Sequence, residues 1–385
     1  MNKQNNLSAA DLVLPLACIL IVSTLFAAGL WPFNPFPKNE VTWIVTGKGL
    51  HFGDHGVVFG REPFRPVQLN RESFCTLAIR LRPDPFPSGG TFLEVYTPEN
   101  PTQFRLIQWR DVLLIRKDYR DAKNRLRTDE VDVGHAFLTG EPVSFTITSG
   151  PGGSVAYRNG VRAAGKTRTG LSCADFAGQL VLGDSAVIDN AWRGNLLDLV
   201  IYDRELPPQE IASEYASWNE NQSTEEPGRA QHVVAHYTFT EGRGQNVHGQ
   251  GDAAPELYIP EIFKVPHKKM LMWPWEEARD KLTVRDLSTN IFGFVPFGFV
   301  FVAYLTWNRK VKHATIVTIL CGAAISLTIE ILQEYIPGRD SGILDIITNT
   351  SGTILGAALF RGAPMQNLIR KLLDFLGSDE KVQES

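Results

Sequence analysis

Apolar and polar positions divide the chain into three stretches with different periods. From Leu12 to Phe33 no charged side chain interrupts the apolar residues, and at about 1.5 Å rise per residue that run is long enough to cross a hydrocarbon core of roughly 30 Å. Three further apolar runs, Leu287 to Thr306, Ala314 to Leu332 and Ile343 to Phe360, come late and are joined by short loops. Between Asn39 and about Asn219 the period falls to two. Short runs such as Ser73 to Leu81, Thr91 to Tyr96, Phe104 to Trp109, Asp111 to Arg116, Val143 to Thr148, Ser154 to Arg158, Gly178 to Leu182 and Asn195 to Tyr202 alternate with turns rich in Gly, Pro, Asp and Asn. Many short strands at that spacing predict an antiparallel sandwich or jelly roll. The expected architecture is therefore multidomain: an α-helical membrane bundle of four spans around an all-β insert.

Charge sets the expected orientation. Arg309, Lys310 and Lys312 separate spans two and three, and Arg361, Arg370 and Lys371 follow span four, which places residues 1–11, the 307–313 loop and the 362–385 tail in the cytoplasm and the insert outside. Lys264, Lys268, Lys269, Arg279, Lys281 and Arg285 oppose this rule. Long translocated domains largely escape it, and neighbouring Glu276, Glu277, Asp280 and Asp286 offset those charges. A cleaved signal peptide is the alternative for the first run, with Phe26-Ala27-Ala28 as a poor cleavage site. The length of the run and its Trp31-Pro32 exit favour a span. Residues 220–230 are polar and read as a linker. Residues 257–286 mix apolar residues, prolines and lysines and read as an interfacial segment.

Of the four cysteines, Cys18 and Cys321 fall in spans, while Cys75 and Cys173 fall in the insert. An oxidising compartment permits a Cys75–Cys173 disulfide, and two small buried thiols are the alternative. The formal net charge is −4, and no basic, aromatic-interleaved stripe points to nucleic acid.

The insert carries Gly49-Leu50-His51-Phe52-Gly53, the run Phe74 to Pro83, Val155-Ala156-Tyr157-Arg158-Asn159-Gly160, Leu182-Gly183-Asp184, and Trp192 to Leu206 followed by Glu210-Ile211. In this order they resemble laminin-G-like, concanavalin A-like domains, which implies a sandwich over 39–219 that binds carbohydrate or peptide at its loop ends, in some members through calcium. Asp54, Asp184, Asp189 and Asn190 are the oxygen ligands such a site would draw on, and organising turns is their other role. His51 with His55 and His232 with His236 share a four-residue spacing but lack a third zinc ligand. His236 to Gly244 looks like an opening strand placed after the closing helix, so residues 231–260 either complete a permuted sandwich or start a second domain.

Polar residues inside the late apolar runs are the first candidate for function, because ionisable groups at membrane depth cost several kcal/mol, on the order of 2.5 to 3.5 each. They are Asp286, Asn290, Glu330, Gln333, Arg339, Asp340, Asp345 and Asn349. Asp286, Asn290 and Gly293 share one helix face, as do Asp345, Asn349, Gly352 and Gly356. The two last glycines allow close helix packing. Arg339 is expected to pair with the carboxylates of Glu330 and Asp345. Asp286 with Asn290 to Gly298, Glu330-Ile331-Leu332-Gln333, Gly338-Arg339-Asp340-Ser341 and Asp345 to Gly352 closely resemble the VanZ-like membrane family over residues 281–361, with span one as its first helix. That resemblance implies a multi-pass protein of the bacterial inner membrane and a link to glycopeptide (teicoplanin) resistance, without a catalytic assignment.

Three function classes follow. The first is recognition of a glycan, peptidoglycan or lipid-linked saccharide by the sandwich. The second is an enzyme acting on a lipid-linked or phosphorylated substrate, with Glu330 or Asp345 as acid or base and Arg339 on an anion. The third is a transporter or flippase-like element, for which four spans are few unless the protein oligomerises. No nucleophile–base pair or metal triad favours the second.

Overall fold

The period-two runs close into two antiparallel sheets in a computed structural model, which describes residues 9–45, 48–65, 74–85, 89–137, 140–166, 170–219, 232–251, 253–273, 284–362, 364–367 and 371. The described residues divide into two units, Phe36–Lys268 and a second one drawn from Met1–Pro35 with Lys269–Ser385.

In the first unit one sheet contains β1 (Val41–Trp43), β2 (Leu50–Phe52), β13 (Gly194–Tyr202), β4 (Thr76–Pro83), β9 (Val143–Gly150), β10 (Gly153–Arg158) and β11 (Val161–Lys166), in that spatial order. The other runs β15 (Asn246–Val247), β16 (Leu257–Tyr258), β3 (Val58–Gly60), β12 (Gln179–Leu182), β5 (Gly89–Tyr96), β6 (Phe104–Trp109), β7 (Val112–Arg120), β8 (Leu126–Val133). Alternation sends Leu77, Ile79 and Leu81 of β4 against Phe104, Leu106, Leu113 and Ile115 of the facing sheet, all fully or nearly buried. Each such side chain stabilises the fold by about 1.5–3 kcal/mol. Trp192 fills the centre near Phe52 and Phe92 and donates its indole N–H to Gln108 Oε1 at 2.6 Å. Cys75 and Cys173 form a disulfide, with Cα atoms 5.2 Å apart.

The strand β14 (Val233–Tyr237) pairs with β13 from Leu199 to Tyr202, on the edge whose other half, Gly194 to Leu196, pairs with β2. Tyr237 and Phe239 enter the core. The stretch after Asn246 therefore folds with the sandwich. Leu257, Ile259, Phe263 and Val265 are buried there, Phe263 and Val265 against Val57, Val181 and Ala186 on the outer face of the second sheet. For 257–265 this corrects the interfacial reading of 257–286, because the apolar residues there match a sheet face; 274–283 lie outside the described residues, as does the expected linker, 220–230. The short helix α2 (Pro208–Asn219) follows β13 and closes on it through the Tyr202 hydroxyl, which donates to Glu214 at 2.5 Å.

The second unit contains α1 (Ala9–Leu30), α3 (Val284–Trp307), α4 (Ala314–Gln333) and α5 (Ile343–Arg361), and all four are long and apolar enough to cross a membrane. A helix satisfies its own backbone, so it can present Leu16, Ile19, Leu20, Phe292, Ile316, Leu320 and Ile354 outward with no polar atom exposed to lipid. α3 and α5 run in the same direction: Gly352 meets the Ile291 carbonyl and Gly356 the Val295 carbonyl. Any Cβ at either glycine would collide with that backbone.

Candidate functional site

The helical unit gathers most of its candidate polar residues at one end. Asn290 Nδ2 donates to Asp345 Oδ1 at 2.6 Å, tying the second turn of α3 to the first turn of α5. Glu330, 2% exposed, accepts the Gly342 N–H at 2.8 Å and so caps α5 from the last turn of α4, where the positive end of the helix dipole favours a carboxylate. One turn deeper, Asn349 Nδ2 donates to Ser326 Oγ at 2.9 Å. Gln333 Nε2 reaches the Gly29 carbonyl at 2.9 Å. Asp286 and Asp340 lie near enough for their charges to act on Asp345.

Arg339 departs from expectation. Its Nε donates to the Trp31 carbonyl at 2.8 Å and its Nη2 to the Ala28 carbonyl at 3.2 Å. Among the described residues it makes no ion pair, so the expected Arg339–Glu330 or Arg339–Asp345 pair is absent. The last carbonyls of α1 lack intrahelical partners and carry the negative end of its dipole, while Glu330 and Asp345 are already engaged.

In the sandwich, a rim forms where β5, β6 and the loops before β13 meet. Gly89 pairs with Trp109, and Thr91 bridges to Ala191. Trp109 is 57% exposed, with the Arg110 guanidinium 5.4 Å from its ring centroid. Arg193 reaches Asp54 at 3.2 Å and Asp84 at 3.6 Å, and His135 pairs with Asp111 at 3.0 Å. Asn190 Nδ2 donates to Thr91 Oγ1 at 2.8 Å. Asp184, fully buried, accepts the Ser185 and Asn190 N–H groups on Oδ1, each at 2.7 Å. Burial and the Asp189 charge hold its carboxyl well above the usual range, against the pull of those two N–H groups. Of the expected calcium ligands, Asp184, Asp189 and Asn190 thus share one turn, while Asp54 is drawn to Arg193. Among the described residues no three His, Cys, Asp or Glu side chains are grouped to hold a metal.

The histidines are similarly dispersed. His51 meets Asn195 at 2.8 Å, His232 Asp203 at 3.0 Å and His236 Asp198 at 3.2 Å, while His55 lies 3.8 Å from Glu40. Burial lowers the affinity of His236 for its proton, but the Asp198 hydrogen bond and charge outweigh it and the net shift is upward.

Sequence reasoning did not single out the polar row on the outer face of the second sheet. Arg105 Nη2 donates to Asp118 Oδ2 at 2.9 Å, and Thr128 Oγ1 to Asp118 Oδ1 at 2.6 Å. Glu94, opposite Arg105 across the strands, is fully buried and accepts the Ala186 N–H at 3.0 Å. Burial pushes its carboxyl up to about 7, against the pull of Arg105 and of the hydrogen bonds from Ser185 and Ala186. Its signal was a lone carboxylate at an alternate position of an otherwise apolar strand.

Two family models match the chain. The VanZ/LLP1 model matches residues 233–368, and the model of the concanavalin A-like lectin/glucanases superfamily matches residues 64–212. The chain joins a VanZ-like segment to a concanavalin A-like domain. The VanZ-like match opens at the first residue of β14, so its first part covers strands that fold with the sandwich. No curated protein matches the chain. Among solved structures, it is similar to the binding domain of botulinum neurotoxin DC in complex with SialylT, at 12% identity over 47% of this chain and 45% of that one, with a TM-score of 0.33. A Bacteroides ovatus protein assigned to carbohydrate binding aligns at 12% identity over 58% and 62%, TM-score 0.39. Trypanosoma rangeli sialidase in complex with the inhibitor DANA aligns at 18% identity over 49% and 30%, TM-score 0.33. The chain spans less than half the length of the neurotoxin domain it matches, and likenesses this partial leave ligands with those proteins.

Proposed function

We propose that this protein is a multi-pass membrane protein of the bacterial envelope whose concanavalin A-like sandwich, on the outer side, binds a saccharide of the cell envelope through the rim around Trp109. The exposed indole is the observation that carries this reading. It offers an aromatic face at a strand end beside Arg110 and Asp111, and Asp84, Arg193 and Asn190 of the loops that form the rim supply hydrogen-bonding groups of both kinds. The disulfide supports an oxidising side, in line with the loop charges. Full-length protein in detergent should bind immobilised peptidoglycan or an envelope polysaccharide, and Trp109→Ala should weaken that binding about tenfold. Equal binding by parent and variant would remove the rim from the reading. For sidedness, alkaline phosphatase fused after Gly160 should be active and fused after Lys312 inactive; the reverse pattern overturns the outer placement.

A further inference from the structure

We infer that Arg339 is a binding site for the phosphate of an anionic lipid at the membrane surface. The guanidinium is fixed in place: Nε and Nη2 each hold a carbonyl at the end of α1, at 2.8 and 3.2 Å. Five N–H donors in a planar fork cannot all be met by two carbonyls, and the remaining edge keeps the geometry that suits a phosphate's paired oxygens. No carboxylate among the described residues pairs with it, although carboxylates are present at the same end of the helices. Asp345 is held by Asn290, with Asp286 and Asp340 near it on the side of α3 and α5. Glu330 caps α5 and Asp345 is held by Asn290, so the two carboxylates expected to meet Arg339 are engaged elsewhere and the cation leans on α1.

The level of Arg339 is that of a bilayer surface. It belongs to the loop joining the end of α4 to the start of α5. Trp31, Phe33, Tyr335, Met270 and Trp273 are exposed at this same end of the helices. The segment bearing the last two is attached to the α4–α5 loop, with the Met272 N–H on the Ser341 carbonyl at 2.9 Å and the Ile343 N–H on the Met272 carbonyl at 3.0 Å. Amphipathic aromatics at helix ends mark the headgroup layer, where a basic side chain is drawn to anionic lipid. A guanidinium held by two carbonyls and without an ion pair among the described residues finds its counter-charge in the lipid.

The test uses full-length protein in nanodiscs of dioleoylphosphatidylcholine doped either with phosphatidylglycerol or with a polyprenyl diphosphate, and lipid retained after extraction is read by native mass spectrometry. The parent should enrich an anionic lipid over the choline lipid, and Arg339→Gln should retain it about tenfold less. Stronger retention of the diphosphate at equal mole fraction assigns the site to polyprenyl carriers; equal or stronger retention of phosphatidylglycerol assigns it to glycerophospholipid. No enrichment by the parent, or equal retention by the variant, overturns the inference. Should Arg339→Gln fail to insert, phenylglyoxal labelling of Arg339 in the parent decides: the adduct should form more slowly in anionic discs than in choline-only discs, and equal rates overturn the site.

Discussion

Glu94 lies in β5 with both neighbours, Leu93 and Val95, in the core and its own carboxyl under the Ser185–Ala186 turn. Its carboxyl titrates near 7 in the fold, from a reference of 4.5, because burial outweighs Arg105. The native state therefore holds this proton more tightly than the unfolded chain. Below about pH 4.5 both states are protonated and the group is neutral in its effect; as pH rises towards 7 the unfolded chain ionises first and stability falls, by about 3 kcal/mol in all. Thermal unfolding of the parent followed from pH 5 to 8 should decline across that window, and Glu94→Gln should flatten the decline. At the glycines between α3 and α5 the expectation is steric. Gly356→Leu places carbon where the Val295 carbonyl stands, and the helical unit should lose about 1–3 kcal/mol or fail to accumulate, as read by thermal aggregation in detergent.

Among the elements, β14 carries a burden out of proportion to its length. It completes the second half of one edge of β13, and Phe239 just after it packs beside Tyr237 in the core. Phe239→Ala should cost about 3–5 kcal/mol, measured as a lowered unfolding temperature and faster proteolysis of the sandwich. Eight strands were legible from alternation, and each lies within a few residues of its observed place, because a buried face imposes period two on β4, β5 or β13. The strand β8 was not, since only Val131 and Val133 of Leu126–Val133 reach the core and its polar residues resemble a loop. β1, β2, β3, β15 and β16 are two or three residues each, too short for a period. At the candidate site, the sequence supplied the polar residues of the helices but not their pairing: Arg339 was matched with carboxylates by charge alone, whereas unpaired carbonyls at the end of α1, invisible in a residue pattern, took its donors.

For the whole molecule, the ends of the sandwich are the feature to follow. Lys38 bridges Ile262 in antiparallel fashion, the Phe263 N–H donates to the Pro37 carbonyl at 2.9 Å, and buried Asn39 bonds the carbonyls of Val57 and Pro260. The chain thus enters and leaves the domain along two adjacent strands, about 5 Å apart. Excising 38–262 should leave a gap that two residues can span, and the shortened chain should still insert and accumulate; a product degraded in the membrane fraction would show that the helices depend on the domain. Ends this close mean that a domain of this kind can be inserted at a single peptide bond of another chain.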